Sequence, residues 1–109
     1  MFRVFTTTQF DEDLEDLDNS EQIRVRKIRD QLRERGKDVG KPLSGIDIFR
    51  EKKFDGKRLF FLVYEKYSVV LLLAISDKKT QQATINRVLN EFVNYEQYVI
   101  ETIKKQGLI

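Results

Sequence analysis

The chain has 109 residues, 35% of them charged, a net charge of +2, and neither cysteine nor histidine. The absence of cysteine excludes disulfides, thiolate metal centres and cysteine nucleophiles. The absence of histidine removes the commonest metal ligand and general base, so no metal or cofactor is expected. No apolar run reaches the ~20 residues of a membrane span. The N-terminus, MFRVFTTTQFDEDLEDL, turns acidic where a signal peptide is apolar, so a soluble, cytoplasmic protein of one domain over 1–109 is expected.

Phe2 to Phe5 reads as a short strand. Thr8, with Asp11 three residues on, suits a helix N-cap, and Phe10, Leu14 and Leu17 follow at helical spacing over 9–18. Asn19 and Ser20 interrupt that helix, and Ser20 can cap a second one. Its inner face holds Ile23, Val25, Ile28 and Leu32, and Gly36 ends it. The pair predicts an αα-hairpin. GKDVGKPLSG (36–45) reads as a loop.

Ile48 to Phe54 is then a strand, Asp55-Gly56 a strong hairpin signal, and Arg58 to Glu65 the returning strand. Val69 to Ile75 makes a third consecutive strand. LFFLV and VVLLLAI do not alternate, which predicts central strands covered on both faces. Ser76 or Asp77 suits the cap of a long C-terminal helix within 77–106. Its stripe runs Ile85, Val88, Leu89, Phe92, Tyr95, Val99 and Ile103. At about 42 Å such a helix overruns a small core. It contains no Gly or Pro, so it is expected to project, with a homodimer through it as one outcome. The expected class is α+β: an N-terminal strand, an αα-hairpin, a three-stranded antiparallel meander completing a four-stranded sheet, and a long C-terminal helix.

The small net charge hides a segregation. Residues 1–21 hold one cation against seven acids, 22–41 eight cations against three, and 42–79 eight against five. Such asymmetry points to an anionic partner, although the acidic first helix can also pair with the basic second. Arg50 and Lys52 share one strand face, and Arg58 follows the hairpin turn. Lys78 and Lys79 open the last helix, where cations oppose the helix dipole and a docked anion relieves both. If these segments meet, Arg50, Lys52, Arg58, Lys78 and Lys79 form one cationic pocket. Lys41, Lys53 and Lys57, with Arg26 and Arg33 on the second helix, suit contacts to an RNA backbone. Two readings stand side by side: a phosphate site, or charges that guard an exposed strand edge.

The order of elements and several short motifs resemble the RelE/ParE superfamily of toxins from bacterial and archaeal toxin–antitoxin modules. The motifs are GKPLSG (40–45), FREKKF (49–54), KRLFFLVY (57–64) and ISDKKTQ (75–81), the last similar to the HigB-like branch. The resemblance covers about residues 2–90. It implies a cytoplasmic toxin with a cognate antitoxin that cleaves mRNA in the ribosomal A site without a metal. Arg50, Lys52, Arg58, Lys78 and Lys79 then match the catalytic basic residues. Fixed cations stabilise the charge that builds on phosphorus, and a lysine crowded by cations can serve as base, with Lys52 the candidate. Some members place a Tyr or His near the C-terminus, whereas here the first after Lys79 is Tyr95. Two alternatives follow from the same resemblance: a ParE-like toxin that poisons DNA gyrase, and a catalytically inactive binding or regulatory relative.

Overall fold

Two apolar runs organise the molecule, whose computed structural model describes residues 1–107. The last two residues of the expected 1–109 domain lie outside them. LFFLV falls in β4 (Lys57–Tyr64) and VVLLLAI in β5 (Val69–Asp77). Around them stand β1 (Arg3–Thr6), β2 (Lys41–Leu43) and β3 (Ile46–Phe54), in the order β1-β5-β4-β3-β2. β1 runs parallel to β5 and all other pairs are antiparallel. Both faces are covered, which is why the central strands lack alternation. On one face α1 (Thr8–Glu15) and α2 (Asn19–Arg35) set Phe10, Val25, Ile28 and Leu32 against Leu59, Phe61, Val63 and Leu72. On the other, α3 (Gln81–Asn90) and α4 (Phe92–Lys105) set Ile85, Val88, Val99 and Ile103 against Phe49, Phe60, Leu62 and Leu71. The α+β class stands as expected.

Four local expectations are corrected. The sheet has five strands, because the 36–45 segment contributes β2 at the edge beside β3. Pro42 is tolerated there because an edge strand need not donate outward. The helix caps sit earlier than expected. Thr7 accepts from the Phe10 amide at 3.1 Å, and Asp18 forms a full capping box with Glu21. Asp18, one step ahead of Ser20's neighbour Asn19, wins because Glu21 can reach back to it. The Glu21 amide first, and the Ser20 hydroxyl next, hold the Asp18 carboxyl below its usual range. Ile23, expected on the inner face of α2, is 40% exposed.

The largest correction concerns the C-terminus. The single helix expected over 77–106 is two helices, broken at Glu91 (φ −101°, ψ 7°). Its amide is shared between the Arg87 and Val88 carbonyls, at 3.2 and 3.1 Å. No Gly or Pro is needed because the driving force is elsewhere. The molecule measures 38 × 28 × 25 Å, so a straight helix would leave its second half in water. Turning back buries Val99 and Ile103 completely. Burial of each such side chain contributes about 1.5–3 kcal/mol, more than the ~1 kcal/mol of a lost helix hydrogen bond. The apolar stripe of α4 is therefore used on the chain's own sheet, while Val93 at the start of α4 stays exposed.

Polar contacts also hold α4 down. Tyr98 Oη donates to the Thr6 carbonyl at 2.9 Å, while Glu96 receives Tyr67 Oη at 3.0 Å and pairs with Lys66 at 2.8 Å. Lys66 first and Tyr67 next hold the Glu96 carboxyl below its usual range. A depressed carboxyl contributes stability above its unfolded value and loses it as pH falls through the folded value. The thermal midpoint of Glu96→Gln should therefore lie below that of the parent at pH 7. The two curves should converge below about pH 4, read by circular dichroism melts.

Gly40 stands where the segment before β2 crosses β3. Its φ is +72°, and an added Cβ would press on the Glu51 carbonyl. Gly40→Ala should cost about 2–4 kcal/mol from left-handed strain and overpacking together. The check is the urea midpoint, which should fall with an unchanged slope.

Candidate functional site

The β3–β4 hairpin sets the geometry of the site. Asp55 (φ 46°) and Gly56 (φ 76°) form its two-residue turn, both in the left-handed region. That turn pairs Phe54 with Lys57, Lys53 with Arg58, and Lys52 with Leu59. Arg58 pairs onward with Ser76 of β5. Lys53, Arg58 and Ser76 therefore form one row across three strands, on the face that carries α3 and α4. Lys52 and Arg50 point to the other face, toward α2, with Leu59 and Phe61 as their cross-strand neighbours.

The expected single pocket thus divides between two faces of one sheet end. Arg58 is in register with Lys53, a residue expected only to contact RNA, and not with Lys52. The two-residue turn and the two-residue period of strands dictate this, and both were readable in the sequence. Arg50 is 8% exposed and ties the segment before β2 to β3. It donates to the carbonyls of Asp47 at 3.1 Å and Gly40 at 3.4 Å, and pairs with Asp47 at 3.6 Å. Lys78 and Lys79 do reach this end of the sheet, but in the turn before α3 and not in its first helical turn. Asp77 shapes that turn by accepting from the Thr80 amide and hydroxyl, at 2.9 and 3.0 Å. Those bonds hold the Asp77 carboxyl below its usual range.

Ion pairing sorts the remaining cations. Lys57 pairs with Glu21 at 3.5 Å and Arg33 with Asp30 at 2.8 Å. Arg26 lines a cleft between α1 and α2, away from the strands. Among the described residues, Lys41, Lys52, Lys53, Arg58, Lys78 and Lys79 take part in no ion pair. All six sit at one end of the sheet. The Arg58 guanidinium makes one hydrogen bond among the described residues, from Nη1 to the Gly56 carbonyl at 3.0 Å. Arg58 Nε is sealed from water without a partner, as is the hydroxyl of its neighbour Ser76.

Glu51 was not singled out in the sequence. It is 2% exposed, pairs with Phe60 on the Arg58 face, and accepts from the Gln81 side-chain amide at 3.3 and 3.4 Å. A carboxylate this buried is held for a reason, since burying it costs free energy unless it is hydrogen-bonded. Here it anchors the first residue of α3, and so the lysine-bearing turn, over the Lys53–Arg58 row. The available signal was its place between Phe49 and Lys53 on a face with apolar partners. Chemically, the sheet end offers a fixed guanidinium, mobile ammonium groups and no histidine. That set binds and stabilises phosphate charge.

No protein-family model and no curated protein matches the sequence. Solved structures do match in shape. The isolated E. coli RelE toxin superposes with a TM-score of 0.65 at 14% identity, over 81% of this chain and 99% of that one. A chain of the RelBE2 toxin–antitoxin complex of Mycobacterium tuberculosis gives 0.62 at 22% identity, over 71% and 98%. A chain of the archaeal RelE–RelB complex of Pyrococcus horikoshii gives 0.57 at 23%, over 71% and 94%. Each is nearly spanned by this chain. The chain is built on the fold of the RelE toxins.

Proposed function

We propose that the chain is the toxin of a toxin–antitoxin pair and cleaves mRNA on the ribosome in the cytoplasm, without a metal. One observation carries this reading: six cations that take part in no ion pair among the described residues are gathered at one sheet end, in a fold shared with RelE toxins. Lone cations so placed repel one another, and an anion relieves that cost.

In the reaction the ribose 2′-hydroxyl attacks the adjacent phosphorus. The 2′-O–P bond forms as the P–O5′ bond breaks, leaving a 2′,3′-cyclic phosphate and a 5′-hydroxyl. The proton leaves the 2′-oxygen and a proton reaches the departing 5′-oxygen. Arg58 stabilises the phosphorane charge by a fixed guanidinium. Lys53, Lys78 and Lys79 hold the flanking phosphates. Lys52, expected as the base, stands on the opposite face from Arg58 and meets the RNA strand where it crosses the edge of β3, and Lys41 extends the basic rim. Glu51 and Arg50 are positioning residues, the first through Gln81 and the second through Gly40 and Asp47. The cognate antitoxin is a protein or peptide that masks this end.

The test is to induce the chain in growing cells and map mRNA 5′ ends by primer extension. New ends inside translated codons support the reading. Growth arrest without new ends moves the target to DNA gyrase. A folded, antitoxin-free chain that neither arrests growth nor cuts RNA is an inactive binding relative.

A further inference from the structure

A second basic feature lies on the opposite face from the Arg58 row. Arg24, Lys27, Ile28 and Gln31 follow one another at i, i+3, i+4 and i+7, so they share one side of α2. They face Lys52 and Phe54 of β3 across a depression of about 260 Å³. Ile28 and Phe54 are buried in the core beneath it, and the cations and the Gln31 amide stand along its walls. No acid lines it. Of its cations, Arg24 pairs with Asp55 at 3.2 Å.

This groove is continuous with the candidate site. Lys52 and Lys53 line both it and a second depression of about 340 Å³ that continues to Gly40, Lys41 and Glu51. The two meet at Lys52–Phe54, where β3 extends past its short neighbour β2 and has a free edge. A basic track therefore runs from α2, over that edge, to the face that carries Arg58.

We propose that the α2–β3 groove is a phosphate-gripping subsite for single-stranded RNA, holding the strand that flanks the cleaved step. The proposal rests on the functional reading above. A polyphosphate chain fits the track because it is extended, carries one charge per unit and brings flat bases to an apolar floor. An acidic peptide supplies charge but no such bases.

The test uses the full chain and a fluorescent 2′-O-methyl oligoribonucleotide, which binds but cannot be cleaved. Anisotropy is read across a salt series for the parent and for Arg24→Ala/Lys27→Ala. Both residues are exposed on a helix surface, so the melting midpoint should hold and confirms folding. The double variant should bind about tenfold more weakly for all sequences, with a salt slope shallower by about 1.4. Unchanged affinity and slope overturn the groove. If the groove fails while Arg58→Ala abolishes cleavage, the functional reading survives. If the groove variant weakens binding but the folded parent cuts no RNA, the groove stands as an RNA-binding site and that reading falls. A labelled poly-glutamate peptide of equal charge is the last arm. If it binds the parent as tightly as the oligonucleotide and depends on the same two residues, the groove belongs to an acidic polypeptide and the RNA subsite is overturned.

Discussion

Arg58→Ala should lower single-turnover cleavage of ribosome-bound mRNA by about 10²–10³-fold, the usual loss when one fixed transition-state donor is removed. Substrate affinity should change far less, because Lys53, Lys78 and Lys79 still hold the flanking phosphates. The melting midpoint should stay where it is. Arg58 is partly exposed, and the hydrogen bond of its guanidinium to Gly56 repeats a contact within its own hairpin. Arg50→Ala is the contrasting arm. That side chain is buried and joins Gly40, Asp47 and β3, so its loss should lower the melting midpoint as well as activity. Equal activity of Arg58→Ala and the parent would remove Arg58 from the site, whatever the fold.

Phe49→Ala should be the most destabilising single change near the site. The ring is fully buried on β3, 6.3 Å from Phe60 and 6.2 Å edge-on from Phe92 at the start of α4. Truncating a buried Phe costs about 3–5 kcal/mol, from a total that is about 5–15 kcal/mol for a domain. A domain of this size loses roughly 4–8 °C of midpoint per kcal/mol, so the shift should exceed about 12 °C. Val93→Ser, two residues into the first turn of α4 and 84% exposed, should leave the midpoint unchanged. The comparison matters because Phe49 carries β3, and with it Lys52, Lys53 and Glu51, against the helices. If Phe49→Ala melted like the parent, the packing that orders that strand would have to lie elsewhere.

The site was legible in part. The six sheet-end cations without an ion pair among the described residues all lie in segments whose charge segregation was visible in the sequence. Their division between faces was also encoded, by Asp55-Gly56 and strand parity. Nothing in the sequence required Arg50 to be buried, since alternation put it beside Lys52. Gly40, ten residues earlier, draws its guanidinium inward through a carbonyl that only the β2–β3 pairing brings near. Glu51 is a similar case: its partner Gln81 lies 30 residues away and meets it only when α3 docks.

Local chemistry decided what the sequence alone could decide about this protein. The positive-φ turn at Asp55-Gly56, the uninterrupted runs of β4 and β5 and the helical spacing of α1 and α2 act over a few residues and need no distant partner. Tertiary structure decided the rest. It set the break at Glu91, the edge strand β2 with its proline, the burial of Arg50 and Glu51, and the sealing of Arg58 Nε beside Ser76. At Glu91, free energy from contacts far apart in sequence outweighs a local preference worth about 1 kcal/mol or less. The helix bends because Val99 and Ile103 gain more on the sheet than Glu91 loses at the break.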